Sequence, residues 1–335
     1  MANYYNSSTA SYTTDSKIYK WNGYTFSPHQ DIPTTGAVDW KYFTIDGDHY
    51  LVVANCYTGS SHTANSIIYK WDTVSELFIA YEDPIVTHGA QDWEYFSIDD
   101  AHYLVVANYI NGSYDINSVI YKWNGVAFEP HQSILTHGAH DWEYFTIGED
   151  PYIAVANRYH GTEGYNTNSY IYKWNSDNEE FDLSEHIRSI QTNGATDWEF
   201  FTINGESYLA VANSYSGSTH NIKSRIYKWD DYENEFNPIP PVDTQGAYDW
   251  EYLSIADNHY LVVANYHNDA STIIDSVLYK WDQDGDSFAV DQTIPTVGAL
   301  DWEYFTIGTE HFLAVANYHD DTTHDVNSVV YKISF

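Results

Sequence analysis

The feature that most constrains this chain is a repeat. Gly-Ala-x-Asp-Trp-Glu-Tyr-Phe stands intact at residues 89–96, 138–145 and 298–305, and close variants bring its occurrences to six. Each copy is followed by a run like Tyr-Leu-Val-Val-Ala-Asn, a variable polar loop, a Ser-x-Ile-Tyr-Lys-Trp stretch and a Phe-containing segment that returns to the next Gly-Ala. Self-similarity of this kind marks solenoids, propellers and arrays, in which no single unit buries its apolar face alone.

One unit shows what each copy builds. Trp93-Glu94-Tyr95-Phe96-Ser97-Ile98 is aromatic and β-branched, Asp99-Asp100-Ala101-His102 reads as a turn, and Tyr103-Leu104-Val105-Val106-Ala107 is an unbroken apolar run of the kind found in strands buried on both faces. After a loop over 108–117 comes Ser118-Val119-Ile120-Tyr121-Lys122-Trp123. The Asn124-Gly125 pair then signals a hairpin into a fourth strand around 128–134. Four strands per unit of about 52 residues, with no helical stretch, is the arithmetic of a β-propeller blade. The expected fold is therefore all-β, a β-propeller of four-stranded blades, with residues 1–335 read as one domain. The ends leave the blade number at seven, one incomplete, or six, because Ala-Asn and Tyr-Lys recur more often than Asp-Trp. Seven is the narrow preference, with residues 26–32 placed to supply the missing outer strand of the last blade and so to close the ring. Pairing of the incomplete ends between molecules would make an oligomer.

Charge narrows the partners. Lys and Arg total 13 against 48 Asp and Glu, a formal charge of −35, which repels nucleic acid and anionic membranes and favours cations or basic surfaces. No apolar run approaches the roughly 20 residues needed to span a bilayer, so membrane insertion is not expected. The opening Met1-Ala2-Asn3-Tyr4-Tyr5-Asn6 is polar and lacks the apolar region of a signal peptide. The single cysteine, Cys56, ends an apolar run and reads as a buried bystander.

Read together, Gly-Ala-x-Asp-Trp-Glu-x-Phe-x-Ile, Tyr-Leu-x-Val-Ala-Asn and Ser-x-Ile-Tyr-Lys-Trp resemble the epilepsy-associated repeat, also called the EAR or EPTP repeat, over essentially the whole chain. The resemblance implies a seven-bladed propeller that works as a non-enzymatic, usually extracellular recognition module. It also implies a calcium ion held in the central channel through an Asp-x-Glu pair. The chain departs from that pattern in having only six first strands, no signal peptide and no accessory domain.

The carboxylates are the first candidate site. A propeller's first strands would gather Asp39, Asp92, Asp141, Asp197, Asp249 and Asp301 with Glu94, Glu143, Glu199, Glu251 and Glu303 around one channel, where Lys41 replaces the sixth Glu. So many carboxylates would raise one another's pKa values, and as hard oxygen donors they suit calcium better than zinc. The competing reading is that each Asp caps its own turn after Gly-Ala. The two stand about even.

Trp residues recur in register, half in Asp-Trp and half in Tyr-Lys-Trp, and so are read as packing between blades. Asn after Ala is expected to bond across the loop mouth to Ser, as Asn108 to Ser118, and the repeated Lys to pair with a neighbouring blade. The variable loops offer Tyr114, His160, Tyr165, His220, His267 and His319, with His324, for partner contact, since Tyr, Asn, Gly and Ser compose adaptable binding loops. The partner is a protein ligand or a glycan: a protein-binding module comes first, and a multivalent lectin with sites between blades is the alternative. Catalytic signatures such as Gly-x-Ser-x-Gly, a phosphate loop or a dinucleotide fingerprint are missing from the sequence. Symmetric carboxylates could in principle serve a glycosidase but supply no distinct acid and base.

Overall fold

A computed structural model describes residues 1–182 and 188–333. The fold is all-β, of the β-propeller class, with six blades whose strands follow one another in sequence across each sheet. The second blade is the pattern: Ala90–Ile98, Ala101–Asn108, Asp115–Trp123 and Phe128–His137 pair antiparallel in that order. The other first strands are Ala37–Ile45, Ala139–Ile147, Ala195–Ile203, Ala247–Ile255 and Ala299–Ile307. Contacts divide the chain into two compact units, Met1–Tyr144 and Phe145–Phe335.

The preference for seven blades is corrected. Ahead of the first Asp-Trp strand the chain forms a two-stranded hairpin, Thr13–Trp21 with Phe26–Thr35, which has no first strand of its own. Residues 26–32 pair with the strand just before them, Ile32 opposite Ser16. The sheet of the sixth blade has three strands, Ala299–Ile307, Glu310–Asn317 and Val329–Ile333. Hairpin closure is local and cheap, because the strands are separated by only a short turn.

The apolar runs behave as their composition dictates. Leu104, Val105, Val106 and Ala107 are completely buried, since a second strand has a neighbour on either side and a blade on either face. Successive blades lock by aromatic stacking. Phe43 lies on Tyr95 at 4.8 Å, Phe96 on Tyr144 at 4.8 Å and Phe201 on Tyr252 at 4.9 Å. The Asp-Trp tryptophans fill the same seam. Trp93 donates its indole N–H to the Val53 carbonyl of the preceding blade, as Trp198 does to Val155 and Trp302 to Val263. Packing between blades is thus their role, as expected.

Two turns differ from the sequence reading. The first hairpin turn is shorter, with only Asp99 and Asp100 between strands, both at positive φ as a two-residue primed turn requires. The Asn124-Gly125 turn is longer: Asn124 bonds Ala127 backbone to backbone, and its side-chain oxygen accepts the N–H groups of Val126 and Ala127. The fourth strand extends to His137.

The glycine of Gly-Ala fixes the loops to the blades. Gly246 and Gly298 have φ of +56° and +54°, and each donates its N–H to a loop carbonyl, of His220 and Thr272, at 2.6 Å. A Cβ at Gly298 would stand 2.8 Å from the His319 carbonyl oxygen, closer than any contact the backbone tolerates. Gly205, at φ +85°, has open space around it. Gly298→Ala should therefore lower stability by about 2–3 kcal/mol, and Gly205→Ala by only about 1 kcal/mol, measured by chemical denaturation. Equal losses would show that the close approach carries nothing beyond the cost of positive φ.

Candidate functional site

The first-strand carboxylates sit at an open sheet edge, and the neighbouring blade determines what they do. In residues 145–335, Asp197 accepts the Trp250 N–H at 2.9 Å and Asp249 the Trp302 N–H at 2.8 Å. Glu199 and Glu251 likewise accept the N–H groups of Tyr252 and Tyr304 at 2.9 and 3.0 Å. In residues 1–144, Asp92 accepts the Trp142 N–H at 3.2 Å. Each bond spans one repeat, so these carboxylates reach the next blade's edge as well as their own strand. Asp301 and Glu303 lie on the sixth first strand, which no further Asp-Trp strand follows in the chain, and both are exposed.

Residues 1–144 bring together Asp39, Asp92, Asp141, Glu94, Glu143 and Lys41. Burial, followed by the charges of Asp141 and Asp39, holds the Asp92 carboxyl well above the usual carboxylate range. Burial also raises Asp39, opposed first by the Lys41 charge, and Asp92 hydrogen-bonds to it. Lys41 forms an ion pair with Glu94, whose carboxyl is still raised because burial outweighs the lysine. Glu94, Asp92 and Glu143 raise the ammonium well above its ordinary value against the opposing cost of burial. The donor chemistry fits a hard dication: all oxygen, and with negative charge in excess of the one lysine.

At the other end of the sheets the loops are stapled by the Ala-Asn side chains. Asn108 donates its amide to the Asn117 carbonyl at 3.0 Å, accepts the His88 N–H at 2.8 Å, and its own N–H meets Ser118 Oγ at 3.2 Å. Asn265 and Ser276 repeat this. The expected clamp across the loop mouth is present. The repeated lysines meet the expectation in part: Lys228 reaches Asp286 of the following blade at 3.8 Å as well as Glu206 of its own at 3.7 Å. Lys20 pairs with Glu76 of the neighbouring blade, but Lys70 and Lys173 pair with Asp48 and Asp150 of their own blades. Cross-strand register explains this, since Lys70 lies opposite Tyr50 and its ammonium stands 5.4 Å from that ring.

Among the proposed contact residues, Tyr165, His220 and His267 are half-buried in one series of packed rings within residues 145–335. Tyr165 packs on Tyr159 at 4.8 Å and on Tyr215 of the next blade at 4.9 Å; His220 continues the series from Tyr215 at 4.4 Å to His267 at 4.7 Å. Tyr114 packs on Tyr109, and His319 on His324. His160 accepts the N–H groups of Thr162 and Glu163 and so shapes its own loop. Residues not singled out from sequence are Asp269 and Asp321, which fasten these loops. The repeated His-x-Asp at 267–269 and 319–321 was the available signal. Cys56 is 4% exposed, and burial pushes its thiol up to about 12, as a bystander requires.

Comparison with known proteins follows this geometry. The EPTP domain model matches residues 25–72, 83–124, 127–175, 185–230, 235–282 and 287–334. The chain is 38% identical over 332 residues to the thrombospondin-type laminin G domain and EAR repeat-containing protein of Homo sapiens, covering 97% of this chain and 41% of that protein. It is 24% identical over 300 residues to leucine-rich glioma-inactivated protein 1 of Homo sapiens, covering 89% and 49%. The chain thus spans less than half the length of these relatives. Among solved structures, a putative 6-phosphogluconolactonase from Bacteroides fragilis NCTC 9343 superimposes with a TM-score of 0.68 at 13% identity, over 99% of this chain and 94% of that one, a likeness of fold alone.

Lys41→Met tests the first half of the carboxylate site. Glu94 would be left buried without a counter-charge, which costs about 3–5 kcal/mol for a wholly buried pair. Lys41 retains 38% exposure, so solvent screens the pair and a loss of about 2 kcal/mol is expected at pH 7. Because the folded-state pKa of Glu94 is raised, the loss should shrink as the pH is lowered from 7 to 4 through that pKa. Urea denaturation at the two pH values measures it, and a loss independent of pH would show that charge is not its cause.

Proposed function

The chain belongs to the EPTP family, and on that premise we propose that it is a non-enzymatic recognition module that binds a protein ligand through the loops between second and third strands. The observation that supports this is the division of labour within each repeat. Strand residues recur from blade to blade, whereas the loops over 56–62, 109–114, 158–167, 214–220, 266–274 and 318–328 differ in length and sequence while being anchored by the same Gly and Asn bonds. Rigid anchors under variable loops present adaptable contacts at low entropic cost. The charge of −35 favours a ligand with a basic face. We place it outside the cell, in keeping with its family. Among the described residues no helix is long and apolar enough to cross a membrane.

A glycan ligand is the second reading, supported by the tyrosine content of the loop edge. It is the weaker one, because those rings pack edge-on against one another and their faces are largely engaged. Screening against arrays of extracellular proteins and of glycans separates the two. A single saturable protein ligand, lost when loops 158–167 and 214–220 are replaced by Gly-Ser linkers that leave the β-sheet spectrum unchanged, is the expected result. Several equivalent sugar sites without a protein ligand would overturn the first reading.

We propose further that calcium neutralises the Asp-x-Glu carboxylates. The raised carboxyl of Asp92, buried and crowded by Asp141 and Asp39, supports it, since a bound dication would favour the ionised form. Chelation should remove calcium from the purified protein and lower its melting temperature by several degrees. A calcium-free preparation whose melting ignores chelator would overturn it.

A further inference from the structure

We propose that His220, His267 and Asp269 form a site for a divalent transition-metal ion, zinc in the first place, at the loop edge of the unit formed by residues 145–335. The two imidazole Nδ1 atoms face each other at 3.3 Å, and His220 Nδ1 lies 2.8 Å from Asp269 Oδ1. One ligand atom from each residue falls within 4.8 Å of the other two. Bonds of about 2.0–2.1 Å in tetrahedral geometry separate zinc ligands by about 3.3 Å, so the three atoms need only small shifts to surround an ion. Two imidazoles with one carboxylate suit zinc better than calcium, which prefers an all-oxygen shell.

The ligands are held before any ion arrives. The His220 ring is packed between those of Tyr215, at 4.4 Å, and His267, at 4.7 Å. Asp269 is fixed by the Thr219 hydroxyl, by the His220 backbone N–H at 2.7 Å and by the Asn221 amide at 2.9 Å. These bonds, the Thr219 hydroxyl foremost, keep its carboxyl well below the usual carboxylate range, so it is ionised at neutral pH. Without metal, His220 donates Nδ1–H to Asp269, and His267 Nδ1 accepts the Asp269 N–H at 3.0 Å. Metal binding at Nδ1 moves the His220 proton to Nε2 by exchange with solvent, keeping the ring neutral, and exchanges that last bond for a metal–nitrogen bond. Exposure of Asp269 leaves the fourth position to water or to a donor from a partner.

The following blade supplies an internal comparison. Asp321 accepts the Thr272 N–H at 2.7 Å and donates its own to His319 Nδ1 at 3.1 Å, reproducing the bonds of Asp269 to His220 and His267. The hydroxyl and backbone bonds of the clasp are the same, with a threonine in place of the imidazole and Ile273 in place of Asn221. His220 is therefore not required for the clasp, and its ring is a third ligand added to it.

His220→Thr copies the arrangement found at Thr272 and should fold with unchanged circular dichroism. After equilibration with zinc and dialysis, elemental analysis should find one equivalent less in this variant than in the parent protein. Cobalt should give the parent a visible absorption band of tetrahedral type that the variant lacks. A gain of one zinc equivalent in Thr272→His would support the proposal from the other side. Equal zinc content in the parent and His220→Thr, or no zinc retained by the parent at micromolar free metal, would overturn it.

Discussion

The exposed edge of each first strand is the constraint on which the structure rests. A sheet of four strands ends in a row of backbone N–H groups, and an unsatisfied buried donor costs about 1–3 kcal/mol. The repeat answers this with the carboxylates of the preceding blade, Asp to the Trp N–H and Glu to the Tyr N–H, as Asp197 and Glu199 do for Trp250 and Tyr252. The same residues thereby set blade-to-blade register. Once that register is set, Phe201 meets Tyr252 and the Trp302 indole meets the Val263 carbonyl. Hydrogen bonding fixes the position, and the buried aromatic area then provides most of the stabilisation.

This arrangement concentrates negative charge, and the cost is visible at Asp92 and Asp39, whose carboxyls are both raised. Lys41 relieves the repulsion in one repeat by replacing Glu with a cation that pairs to Glu94. A structural device repeated through the chain has thus produced a concentration of hard oxygen donors that evolution could use for an ion.

Much of the fold could be read from the chain because the informative interactions are local. Strand periodicity, the buried run 103–107, the inter-blade Trp and the Asn–Ser clamp all depend on residues within one unit or on their recurrence. The misreadings were those in which the partner is set by three-dimensional register. Nothing in the sequence around Asp197 says that it caps a backbone group one repeat later, and the pairing of Lys70 with Asp48 depends on a cross-strand alignment. At the N-terminus the hairpin of residues 13–35 pairs locally, where the sequence alone allowed a role in a distant blade. The clasp built on His-x-Asp went unrecognised because a side chain receiving its own loop's N–H leaves only a weak pattern, repeated in two blades.

Repetition makes each blade a control for the others. Positions at which the copies agree are accounted for by packing, edge capping and loop anchoring, which every blade needs. A residue that departs while its surroundings stay the same must answer to something else. Lys41 departs at a Glu position and neutralises charge; His220 departs at the position of Thr272, with an identical backbone clasp beneath it. Within one molecule, then, the contrast between equivalent sites does what comparison between proteins usually does. It separates the chemistry a blade requires to form from the chemistry it carries once formed.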